Sequence, residues 1–165
     1  MKMNVSRLVV AGLGSVVMAQ SAFSAMPTKE GAAQFMGCVA GPMQLMTDVK
    51  GAMGGSYEVI GTPMAKPGEL FHLTSMRCLG SFVRIGKEIT DTGSCTAVDA
   101  DGDKMFTVYS RKNSEKNSWK VVAGTGKYEG MSAEGTTENT VIPPKRRRMD
   151  TWQSCSKTSV RWKLK

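Results

Sequence analysis

Three acids at alternate positions, Asp99, Asp101 and Asp103, are the first candidates for chemistry, because alternate carboxylates ligate calcium at the start of an EF-hand loop. The rest of that loop is missing. Its sixth position is Lys104 where glycine is needed, and its twelfth is Ser110 where a glutamate would supply the bidentate ligand. A hairpin turn with acidic flanks accounts for the three residues without a metal. Gly124-Thr-Gly-Lys127 has the residue types of a phosphate cradle, yet a Walker loop needs wider glycine spacing, Ser or Thr after the lysine, and a helix. Met43 and Met46, with Met36, Met53 and Cys38, are soft donors of the kind that bind Cu(I), but their spacing is loose and methionine is a common flexible packer. His72 is the only histidine. A base also needs an activated nucleophile or a paired acid within reach, and no triad or carboxylate dyad can be assembled. The sequence therefore assigns no catalytic residue, no metal and no cofactor.

Charge is the next signal. Lys145-Arg-Arg-Arg148 follows Pro143-Pro144 and reads as an exposed loop whose adjacent cations suit phosphates or sulfates. The formal net charge is +8. An anionic surface is thus one expected partner, with a solvated loop as the simpler account.

The N-terminus indicates the compartment. Lys2 and Arg7 precede an uncharged apolar run from Leu8 to Met18, followed by small residues, which is the pattern of a secretory signal peptide. The run is well short of the roughly 20 residues a membrane-spanning helix needs, so no transmembrane segment is expected. Cleavage after Ser24 divides the chain into a signal peptide at 1–24 and a single domain at 25–165, periplasmic or secreted. Cys38, Cys78, Cys95 and Cys155 all lie in the exported part. An even number of cysteines in an oxidising compartment reads as disulfides, and the absence of any C-x-x-C pair argues against redox and zinc sites.

Turn signals supply the pairing. Gly86-Lys87 suits a two-residue type II′ turn, so that Ile85 faces Glu88 and, counting outward, Cys78 faces Cys95. The α-carbons of such a non-hydrogen-bonded pair lie about 4.5 Å apart, within disulfide reach. Cys38 is then left for Cys155. Asp101-Gly102 suits a type I′ turn that pairs Ala97 with Phe106 and Cys95 with Val108. The resulting meander puts Met76, Cys78, Phe82, Cys95, Ala97, Phe106 and Val108 on one interior face. Further strands are expected at Trp119–Ala123, Met131–Thr137 and Thr151–Ser156. A last one carries Val160, Trp162 and Leu164 inward and Arg161, Lys163 and Lys165 outward. Before Tyr57, the spacing of Met36, Val39, Met43, Met46 and Val49 predicts a short helix or irregular lead-in. Many short strands with turn signals between them point to an all-β sandwich or barrel; a barrel removes exposed edges, so the expected fold class is an antiparallel barrel of about eight strands.

The stretch Gly93-Ser-Cys-Thr-Ala-Val-Asp-Ala-Asp-Gly-Asp-Lys-Met-Phe106, then Trp119, Gly124-Thr-Gly-Lys-Tyr-Glu-Gly130 and Gly135, resembles exported bacterial proteins of the allene-oxide-cyclase-like or dirigent-like barrel group. The resemblance covers roughly residues 76–137 and implies the barrel fold. Allene oxide cyclases bind an oxidised fatty acid and dirigent proteins steer phenol coupling, but no motif here carries their functional residues across, and fold does not determine function. The leading expectation is a non-catalytic barrel that binds a small apolar ligand through Phe82, Phe106 and Trp119, or acts as an interaction module. Two alternatives stand beside it. One is a barrel isomerase or cyclase acting on a lipid-like or phenolic substrate, which needs ionisable side chains pointing into a cavity. The other is a cationic protein that binds anionic glycans or lipid headgroups through Lys145, Arg146, Arg147 and Arg148, clustered with the cations of the last strand.

Overall fold

The computed structural model describes residues 27–46, 49–113, 116–141 and 150–165. The expected signal peptide and the run Lys145–Arg148 lie outside the described residues. The strands are β1 (Glu30–Met46), β2 (Ala52–Pro63), β3 (Ser75–Ile85), β4 (Glu88–Val98), β5 (Lys104–Lys112), β6 (Asn117–Gly124), β7 (Ser132–Val141) and β8 (Thr151–Lys163), with one 3₁₀ turn at Gly126–Tyr128. Each pairs antiparallel with the next and β8 returns to β1, closing a barrel. Closure leaves no strand edge unpaired. This is the expected fold class, and it is the architecture that the resemblance over residues 76–137 implied. Among the described residues no helix is long and apolar enough to cross a membrane.

The β3–β4 hairpin follows from its turn. Gly86 takes a positive φ of 60°, Ile85 faces Glu88, and Cys78 faces Cys95. Both expected disulfides are present, Cys78–Cys95 and Cys38–Cys155, each with α-carbons 4.0 Å apart. Cys78 and Cys95 are buried inside the barrel, whereas Cys38 lies on its outer surface.

The β4–β5 hairpin differs from expectation by one residue. Ala97 faces Met105 and Cys95 faces Thr107. The connection is a three-residue loop in which Gly102 N–H donates to the Asp99 carbonyl at 3.1 Å and Gly102, at φ 87°, takes the left-handed position. Asp99 selects it, because its Oδ1 accepts the backbone N–H groups of Asp101 at 2.9 Å and Asp103 at 3.0 Å. A one-residue slip reverses every side chain of a strand. Met105 and Thr107 are accordingly buried, while Phe106 is 41% exposed and Val108 turns outward with it.

The lead-in is also corrected. Residues 30–46 form one extended strand rather than a helix. Its inward positions alternate, but Ala33, Phe35, Val39 and Met43 are interspersed with Gly31, Gly37 and Gly41, which breaks the apolar alternation visible in sequence. Gly31 has a steric cause, since a Cβ there would lie 2.5 Å from the Trp162 ring. The two segments expected near the C-terminus merge into β8, with Val160 and Trp162 buried and Arg161, Lys163 and Lys165 exposed as alternation predicts.

Two apolar clusters fill the barrel. One, around Leu70, Phe71, Met105, Tyr128 and Trp162, occupies the end closed by the 64–74 connection; the other groups Tyr57, Val59, Phe82 and the Cys78–Cys95 bridge.

Candidate functional site

Between the two clusters lies an internal cavity of about 130 Å³. Its size follows from which residues share a level of the barrel. Tyr57 faces Gly80, Gly80 faces Gly93, Gly93 faces Tyr109, and Tyr109 faces Trp119. Neighbouring strands are about 4.8 Å apart, so three spacings put the two tyrosine backbones at most roughly 14 Å from each other. Their side chains bridge that gap by lying over the glycines, and the hydroxyls meet at 2.8 Å. A Cβ on Gly80 would lie 2.2 Å, and one on Gly93 2.3 Å, from the Tyr109 hydroxyl oxygen. Large-small alternation around the barrel therefore creates the polar wall.

Asp91, only 2% exposed, completes it. The Tyr57 hydroxyl donates to Asp91 Oδ1 at 2.7 Å, and an Arg111 guanidinium N–H donates to Asp91 Oδ2 at 3.3 Å. Burial pushes the Asp91 carboxyl above its usual range, against the opposing pull of the Tyr57 hydrogen bond and the Arg111 charge. Burial also pushes the Tyr109 hydroxyl up to about 12 and raises Tyr57 further, with the Asp91 charge adding to both. Both phenols therefore stay protonated at neutral pH and act as donors.

Aromatic rings form the other walls. Phe71 meets Phe35 at 5.8 Å and Trp119 edge-on at 5.6 Å, while Trp152 stacks on Tyr57 at 5.1 Å. Phe71 descends from the 64–74 connection with φ 68°, unusual for so bulky a residue. Thr74 fixes this turn by donating its hydroxyl to the Phe71 carbonyl at 2.9 Å. Asn117 lines the cavity too, and its buried Oδ1 has no hydrogen-bond partner among the described residues.

Of the three expected ligand residues, Trp119 lines the cavity. Phe82 is buried behind it, 6.2 Å from Trp152. Phe106 is on the outer face, away from the cavity. Tyr57, Asp91, Tyr109, Asn117 and Trp152 were not expected. Period two counted back from Cys95 through Gly93 does reach Asp91, which is the signal that could have found it.

The acidic turn and the Gly-Thr-Gly-Lys stretch share one structural task at the closed end. Lys127 Nζ sits 2.8 Å from Asp99 Oδ2 and also pairs with Asp101; Tyr128 donates to Asp99 Oδ2 at 2.8 Å, and the Lys127 backbone N–H donates to Asp103 at 3.1 Å. The cation received by Asp99 and Asp101 is thus an ammonium. Burial raises the Asp99 carboxyl, but the hydrogen bonds from Lys127 and Tyr128 outweigh it and hold the group below its usual range. Among the described residues no group of three or more His, Cys, Asp or Glu could hold a metal ion.

The cations of β8 have acidic neighbours. Lys157, Arg161 and Lys163 face Glu138, Glu134 and Glu30 across strands, and Lys116 pairs with Glu138. Arg161, Lys163 and Lys165 also lie at the far end of β8 from Thr151, the strand residue nearest in sequence to Lys145–Arg148.

No protein-family model matches the chain. No curated protein matches it either. Among solved structures, the pterocarpan synthase dirigent protein superposes with a TM-score of 0.49 at 10% identity, over 83% of this chain and 87% of that one. No residue role is carried over from it.

Proposed function

We propose that the chain is an exported, non-catalytic β-barrel that holds one small, mainly apolar ligand inside. The observation that carries this reading is the cavity itself, walled by Phe35, Phe71, Trp119 and Trp152 and only partly polar. Eight-stranded barrels either fill with side chains or keep room for one small ligand, and this one keeps room. Export is supported by the two disulfides, which persist in oxidising compartments. Toluene and benzyl alcohol, followed by native mass spectrometry and tryptophan emission, test the reading. A saturable one-to-one complex is expected, lost in a Val39→Trp variant whose indole occupies the cavity. Binding that never saturates, or that survives this variant in a folded protein, would sink it.

A second reading, a barrel isomerase or cyclase acting on a lipid-like or phenolic compound, draws on Asp91. A buried carboxyl whose proton affinity is raised, hydrogen-bonded to a phenol and facing a cavity, is equipped for proton transfer. It predicts turnover of such a compound that disappears in Asp91→Asn while binding persists.

A further inference from the structure

In a chain of net charge +8, the cavity lining among the described residues contains no lysine, arginine or histidine, and its one carboxylic acid there is Asp91. Among its polar atoms one acceptor stands without a partner in the described residues. The Tyr57 proton goes to Asp91 and the two phenols bond each other, while Thr137 and Thr158 share a bond at 3.2 Å. Asn117 Oδ1 remains as a buried acceptor without a partner among the described residues. Around these oxygens stand the rings of Trp119, Trp152, Phe35 and Phe71, and aromatic rings attract cations through their quadrupoles.

We propose that the cavity is selective for a small organic ammonium, an apolar body of about one ring bearing a protonated amine, over neutral and anionic molecules of the same shape. This rests on the ligand reading above. The ammonium supplies a donor for the unpaired Asn117 Oδ1 and a charge opposite to that of Asp91, and the rings replace part of its lost hydration. Arg111 offsets some of the Asp91 charge through its bond to Oδ2, but it is not among the lining residues. A carboxylate would meet the Asp91 charge and the unpaired Asn117 oxygen, while the Arg111 cation is already engaged by Asp91.

Benzylamine, benzyl alcohol and benzoate share one shape and differ in charge at pH 7. Isothermal titration of the disulfide-bonded mature chain should rank them in that order, with benzylamine at least tenfold tighter than benzoate. Asp91→Asn should bring benzylamine to within about threefold of benzyl alcohol, and Asn117→Leu should weaken benzylamine severalfold more than the alcohol, each variant checked for native circular dichroism. Should Asp91→Asn fail to fold, the wild-type ranking and Asn117→Leu still decide. Benzoate or benzyl alcohol binding as tightly as benzylamine overturns the charge assignment and leaves ligand binding intact. No binding of any of the three, nor of toluene, removes both.

Discussion

Asp91 and Asp99 are both buried acids, yet their environments give them opposite pH behaviour. The Asp99 carboxyl is held below its ordinary 3.8, so its contribution to stability is complete above that pH and is lost as pH falls through the lower folded value. The Asp91 carboxyl is raised above 3.8. Its protonated form is therefore the one favoured by folding, and that contribution is lost as pH rises through the raised value. Replacing Lys127 with Met strands Asp99, whose side chain is 1% exposed, without its cation. A loss of about 3–5 kcal/mol is expected, and urea denaturation between pH 3 and 7 should also show a flatter acid limb. A variant as stable as wild type would mean that the clasp is dispensable. For Asp91→Asn, the stability of wild type relative to the variant should decline from pH 3 upward.

At the scale of the strand, one residue of register decides what β5 presents to the interior. Met105 is fully buried and Phe106 is 41% exposed, so Met105→Ala should cost about 2–5 kcal/mol and Phe106→Ala about 0.5 kcal/mol or less. Chemical denaturation of the two variants distinguishes this register from the one-residue alternative, which demands the reverse order. The slip was hidden because Asp101-Gly102 is a good two-residue turn in its own right. The side chain of Asp99, outside that dipeptide, selects the longer loop. The same slip brought Tyr109 to the interior and removed Phe106 from it. In β1, inward glycines left the apolar residues at intervals that imitate a helix. By contrast, the Gly86-Lys87 hairpin was legible because its flanking strands run without a bulge from Ile85–Glu88 to Ser75–Val98.

For the whole barrel, the two disulfides constrain unequal lengths of chain. Cys38–Cys155 spans 117 residues and joins β1 to β8, whereas Cys78–Cys95 spans 17 within one hairpin. Loop-closure entropy then predicts losses of about 5 and about 3 kcal/mol when each is replaced by a pair of alanines. The Cys38→Ala, Cys155→Ala variant should melt at the lower temperature in calorimetry. An equal or opposite ranking would show that packing of the inner bridge against the cavity outweighs chain entropy.

The sequence by itself determined the kind of fold, both cysteine pairings and the inner and outer faces of the last strand. Those depend on local turn chemistry and on period-two alternation, which are written in neighbouring residues. Only the closed barrel decided the site. Tyr57 and Tyr109 are 52 residues apart and touch because two glycines on the strands between them leave space; Asp91 becomes a buried acid because those strands curve around it. No window of sequence contains that level of the barrel, since it is assembled by the pairing of successive strands and their curvature.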